Sequence, residues 1–398
     1  MFKNRYLDNF VATLFVLAVV GLMTLLPNIL DPFLPVEKII ENMDLTDIYF
    51  SKIRNSKKVD TNIVVVNIAE SRTEIAKQIN IINSYNPAVI GIDAYFLKEK
   101  NPAEDFRLSL ALSKTDNCVL ASYFINTETG IFTLNDPDFL QLSMPVFLAN
   151  NSYGFINFVG DGTFKTIRSF VPSVKYEDSV YHSFGAVIAS KYNPEKSAGL
   201  FARENESEII NFLGDFRRFM FLDIDQVFDT LYDKSFLRNK IILMGYHGSQ
   251  LSDSMAVKDK YFTPLNRHNV SRGLPDIYGV VIHANIISMI LNADYINLMP
   301  KSGIFILSFI LCFLNISFFE YIRKRFPQMY GGELKIFIIF EFVVILFLVF
   351  LIFDIFYFKI NVLFIFFVVI LSQDISEIYF SSFKSMINKL KGKKNENL

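Results

Sequence analysis

Four long stretches without charge, or with a single charge, most constrain what this chain can fold into. They lie at residues 10–30, 302–319, 336–353 and 356–373; Glu341 and Lys359 are the only charged residues inside them. A bilayer span needs roughly 20 consecutive apolar residues, so each stretch qualifies as a transmembrane helix, one N-terminal and three C-terminal. Lys3 and Arg5 precede the first, as in a signal peptide, but Pro27-Asn28-Ile29-Leu30 follows in place of a small-x-small cleavage site. The stretch therefore reads as an uncleaved anchor.

Basic residues orient the spans. Lys3 and Arg5 lie before the first, Arg323, Lys324 and Arg325 in the 320–335 loop, and Lys384, Lys389, Lys391, Lys393 and Lys394 in the 374–398 tail. All three sets fall on one side if that side is the cytoplasm. Residues 1–9 and the tail are then cytoplasmic, and the 270 residues of 31–300 lie outside a bacterial inner membrane. Composition agrees with such a mixture: 52% of residues are hydrophobic, yet 20% are charged, and the mean hydropathy is +0.32. Cys118 and Cys312 are the only cysteines, and Cys312 falls in an apolar stretch, so no disulfide is expected. A net charge of -1 gives no basic field for nucleic acid.

The 31–300 region predicts an α/β extracytoplasmic domain with a mixed, partly parallel sheet covered by helices on both faces. Ile63-Val64-Val65-Val66 and Val89-Ile90-Gly91-Ile92 read as buried strands. Between them Ile75, Ile79 and Ile82 recur at helical spacing, so the segment is a βαβ unit and its strands a parallel pair. Further strands are expected at 153–158, 169–176, 209–213, 219–222 and 240–245, and helices at 182–191 and 280–291. Residues 98–150 read as an insertion with its own helices.

Several motifs in order carry a family resemblance. They are Val89-Ile90-Gly91-Ile92-Asp93, Gly154-Phe155-Ile156-Asn157 with Asp161-Gly162 and Ile167-Arg168, Asn239 through Gly245, Asp253, Thr263-Pro264, and Gly279-Val280-Val281-Ile282-His283-Ala284-Asn285. Together with the anchor-domain-three-helix layout, they resemble the second class of CHASE domains, sensory modules of bacterial cyclases and histidine kinases. The resemblance covers the chain from about Asp44 to the fourth apolar stretch. It implies a sensor, and members usually continue into an output domain. Here only the Lys-rich tail follows, so the signal is expected to pass to a partner. Gly245-Tyr246-His247-Gly248 also departs from the family's small residues after that strand.

Candidate ligand-binding residues are Asp93, Asp253, Thr263, His283 and Asn285. Asp93 follows a buried parallel strand, where open α/β sheets place ligands; a turn cap is the structural alternative. His283 opens a helix and could contact a ligand or simply fill the core. If the strand ends at Asp93 and Gly245 are neighbours, the five residues would converge on one pocket. His247-Gly248 suits a caspase-like peptidase only with a nucleophilic cysteine, and the one downstream cysteine is Cys312. With no phosphate loop, Cys-x-x-Cys or His-Glu-x-x-His either, no catalysis, metal or cofactor is expected. Glu341 is expected to snorkel to the membrane surface. Membrane lipid, a protein partner and a second copy of the chain are the expected contacts. The competing reading is a scaffolding subunit of an envelope complex; a transport subunit is a weaker third.

Overall fold

The computed structural model describes residues 2–25, 44–54, 58–125, 139–148, 151–161, 166–248, 259–266, 274–329, 332–384 and 386. The chain divides into two compact units, Glu41–Ile296 and a second made of Met1–Ile40 with Asn297–Leu398. Helix α1 (Phe2–Leu25) belongs to the second unit.

A seven-stranded sheet is the centre of the Glu41–Ile296 unit. Strand β1 (Asp60–Asn67) is followed by α2 (Arg72–Asn83), β2 (Val89–Ile92), α3 (Pro102–Ser113) and β3 (Cys118–Ile125). The sheet is completed by β4 (Phe139–Gln141), β5 (Ser152–Phe155) and, in the order of the chain, two more. Outside it lie the short β6 (Val159–Asp161), β7 (Thr166–Phe170), β8 (Ser173–Tyr176), β9 (Ser179–His182) and β10 (Glu208–Ile209). The last two sheet strands are β11 (Phe219–Leu222) and β12 (Ile241–Gly245). The order is β11-β1-β12-β2-β3, with β5 parallel and β4 antiparallel to successive parts of β3. The sheet is thus mixed and mostly parallel, as expected. The expected pairing of the βαβ unit is corrected: β1 and β2 run parallel, but β12 lies between them and bonds to both. The crossover fixes the direction of its two strands, and a third uncharged strand, 178 residues on from its partners in β1, fills the gap.

The alternation of each strand assigns its faces. Ile79 and Ile82 of α2 and Leu108 and Leu112 of α3 pack with Val64, Val66, Ile90, Ile92, Ile242 and Met244. Both faces are buried, which is why β2 and β12 read as unbroken apolar runs. The opposite face is covered by α4 (Phe184–Tyr192), followed by α5 (Pro194–Phe201), and by α6 (Gly279–Asn292). Close approach there requires glycine. A Cβ on Gly154 would lie 2.6 Å from the Phe184 backbone, and one on Gly245 2.6 Å from Val280.

Four expectations change. The described residues of 98–150 do not form a separate insertion: α3 packs on α2, and β3 is an interior strand of the main sheet. The strand expected at 169–176 is two, because Pro172 lacks an N–H and its carbonyl accepts from Ser183 N. The strand at 153–158 ends at Phe155, and Asn157 caps the Phe124 backbone with its amide, 2.8 and 2.9 Å. The strand at 209–213 is only β10, because Leu213 N donates to a side chain instead of a neighbouring strand.

In the other unit, α7 (Lys301–Arg325), α8 (Gly332–Phe356) and α9 (Leu363–Ile378) join α1. Among the described residues, four helices are long and apolar enough to cross a membrane, as expected. The fourth does not begin at 356: Phe358–Lys359 pairs in parallel with Asn297–Leu298, so Lys359 precedes the helix. The continuation of the first span to residue 30 lies outside the described residues. Ala12, Val16, Cys312, Ile316 and Val368 form the apolar core of α1, α7 and α9. Asn315 of α7 donates to Glu341 Oε2 at 3.0 Å. Both cysteines are free thiols.

Candidate functional site

The carboxyl ends of the parallel strands gather polar residues. Asn67 ends β1 and ties three chain segments: its amide donates to Asp223 Oδ1 and the Gly248 carbonyl, both 2.9 Å, and its Oδ1 accepts from His247 N. His247 itself is enclosed by Phe216, Phe221 and Tyr278 at 4.5–4.8 Å between ring centroids. Burial pushes it down to about 4. The ring therefore packs as a neutral aromatic, which explains a large residue where a small one was expected.

Asp93 stands next along this edge. Its N–H donates to Met244 O at 2.8 Å. Burial first, and then the Asp259 carboxylate, push Asp93 up to about 8, so it holds its proton at neutral pH. Asp259 lies just before β13 (Lys260–Tyr261), which pairs with β14 (Ile277–Tyr278) at the entry to α6. Its carbonyl accepts from Gly279 N, and its carboxylate oxygens sit 3.6 Å from where a Gly279 Cβ would be. The N-terminus of α6 thus faces negative charge, which its dipole favours. Tyr261 bonds Asp259 and is pushed upward by burial and that carboxylate.

His283, one turn into α6, is 3% exposed and stacks on Phe158 at 4.7 Å, with Phe184 edge-on at 5.1 Å. Phe158 also meets Tyr261, so His283 borders the Asp259 cluster through one shared ring. Its Nδ1 has no hydrogen-bond partner among the described residues, and burial pushes it down to about 3. Asp253 lies outside the described residues.

Thr263 and Asn285 do a different job. Thr263 donates its N–H and hydroxyl to the two oxygens of Asp276, at 2.9 and 2.7 Å. Asn285 is fully buried; its Oδ1 accepts from Leu213 N and Gly214 N, and its Nδ2 donates to Gly214 O and Val281 O. Asp276, Leu213 and Gly214 are walls of a cavity of about 620 Å³ that also meets Phe50, Arg54 and Arg218. Thr263 and Asn285 therefore fasten the cavity without lining it, and Asp93 and His283 do not line it either. The four described candidates do not line one pocket; they divide between the strand-end cluster and the fastenings of this cavity.

The cavity's own chemistry was missed in the sequence. Arg54 follows Phe50 by one helical turn, and its guanidinium sits over that ring at 5.4 Å. It donates to Asn211 Oδ1 at 2.8 Å and to Phe212 O. Arg217 forms a two-pronged pair with Asp215, whose Oδ1 also caps the following turn. The doublet Arg217-Arg218 after Gly214-Asp215 was the one available signal.

The sequence matches the profile of the CHASE2 domain over residues 14–317. The match begins inside α1, earlier than the motifs marked, and ends inside α7. No curated protein and no solved structure matches the chain. With well over half of its length matched, the chain belongs to the CHASE2 domain family, a family of sensory extracellular domains.

Proposed function

We propose that this chain is a membrane-anchored extracytoplasmic receptor that binds a small ligand in the Phe50–Arg54–Arg218 cavity and passes its occupancy to a separate protein. One observation carries this reading within a sensory family. Walls of the 620 Å³ cavity hang on α6 or on the strand that enters it: Asn285 holds Leu213 and Gly214, and Asp276-Ile277 leads directly into the helix. A cavity of this size suits a small molecule. Four residues, 293–296, separate the end of α6 from the unit of apolar helices in sequence. A ligand that favours one placement of the walls shifts the population of that placement, and α6 is the element that shares it. The three basic sets support an extracytoplasmic domain.

The chain is purified gently from membranes in mild detergent and its companions identified by mass spectrometry. A stoichiometric signalling protein, with association altered by Asn285→Ala, supports the receptor. A stoichiometric envelope complex indifferent to cavity substitutions replaces it with a scaffold. Orientation is read separately: Lys114→Cys, on an exposed position, should react with an impermeant maleimide added to the extracytoplasmic side.

A further inference from the structure

We infer that the cavity takes a small organic anion, an apolar body bearing a carboxylate or phosphate, held by Arg54 and Arg218. This deepens the receptor reading and rests on it. Three arginines and two carboxylates line the cavity, but the charges do not cancel in space. Arg217 is taken up by Asp215. Asp276 is pushed up to about 6 by burial and so stays largely ionised at neutral pH, but both its oxygens are engaged by Thr263 and Asn266, and its one charge offsets only one of the two remaining guanidiniums. Arg54 donates only to neutral acceptors, Asn211 Oδ1 and Phe212 O. Arg218 is half-buried, and its side chain has neither ion pair nor hydrogen bond among the described residues.

With Arg217 paired to Asp215, Arg54 and Arg218 against the single carboxylate of Asp276 leave the partly enclosed lining net positive by one charge. Low-dielectric walls focus such a field, and a guanidinium's planar fork matches a carboxylate or phosphate. Apolar side chains, Phe50, Leu213, Leu265 and Ile277, make up most of the remaining lining, with Ser51. At about 620 Å³ the cavity has room for a body as well as a charged head, so an inorganic ion would leave most of it unfilled. A cation would meet Arg54 and Arg218 head-on.

The test uses the full chain in detergent at neutral pH and low salt, with binding read by calorimetry. Phenyl phosphate and benzoate supply body and charge, phenol the body alone, inorganic phosphate the charge alone, and benzylamine the wrong charge. Phenyl phosphate or benzoate should bind at least tenfold more tightly than the other three, less tightly as salt is raised. Arg218→Gln should weaken that binding about tenfold or more, the scale of one charge-assisted hydrogen bond, without moving the unfolding transition. Leu265→Trp, which fills the cavity, should abolish it. Phenol or benzylamine binding as well as phenyl phosphate, and lost in Leu265→Trp, would overturn the anion and leave the receptor. Anion binding unchanged by Arg218→Gln also overturns the assignment. If no organic probe binds, or none is sensitive to Leu265→Trp, anion and cavity receptor both fall.

Discussion

Replacing Asn285 separates a fastening from a lining role. The side chain is fully buried and satisfies four backbone groups, of which Leu213 N, Gly214 N and Gly214 O belong to the cavity wall. Val281 O is also the helical acceptor one turn back, so its loss matters less. Asn285→Ala leaves two N–H groups and one carbonyl unsatisfied. At about 1–3 kcal/mol for each orphaned buried group, and with Leu213 N only part-buried, the cost comes to roughly 3–5 kcal/mol. Asn285→Asp keeps the shape and the acceptor for both N–H groups, but points a carboxylate oxygen at Gly214 O and Val281 O. It should fall between wild type and alanine and recover as acid protonates it. Urea unfolding gives the stability, and hydrogen exchange gives the local effect: the Leu213 and Gly214 amides should lose protection before those of β12. If Asn285→Ala costs less than about 1 kcal/mol, or opens β12 first, the clamp is not what holds that wall.

Three further outcomes follow from the geometry. Asp93 binds a proton in the folded chain up to about 8, well above its unfolded range near 4, so between these values rising pH removes stability; the ceiling is about 1.4 kcal/mol per pH unit, and partial exposure should halve it. Asp93→Asn should flatten the slope of the urea midpoint between pH 6 and 8, and an unchanged slope refutes the assignment. His283 and His247 are pushed down to about 3 and 4, so their contribution is complete above pH 6.5 and lost as pH falls through that window. His283→Phe should make the chain more acid-resistant in the same assay, whereas greater acid sensitivity would mean the ring is needed as a base. Gly154→Ala should destabilise by about 2 kcal/mol or more, since its Cβ meets rigid backbone at 2.6 Å; a thermal midpoint unchanged within a degree would contradict that packing.

Apolar length and β-branched runs made much of the fold legible. The four candidate spans, β1, β2, β12, α2 and α6 all follow from local pattern, because a segment buried on every side must be apolar along its whole length. Strand order did not follow: β12 between β1 and β2 depends on contacts across 178 and 152 residues, and no spacing records it. The site was half legible. Asp93 and His283 announced themselves by position after a strand and at a helix start, but Asp259 and Tyr261 had no motif and reach the edge only through the β13–β14 pairing. Thr263 and Asn285 were read as ligand contacts, and the structure uses every polar atom of their side chains to hold other backbone and a carboxylate.

The sequence alone therefore determined which segments are long and apolar enough to cross a membrane, which strands are buried and which family the motifs resemble, since apolar runs and periodicity are properties of neighbouring residues. Only the tertiary structure decided that Arg54 and Arg218, 164 positions apart, meet at one cavity, and that Asn285 holds its wall. Charge on a single residue reads as solvated surface until the fold brings a second like charge to the same cavity.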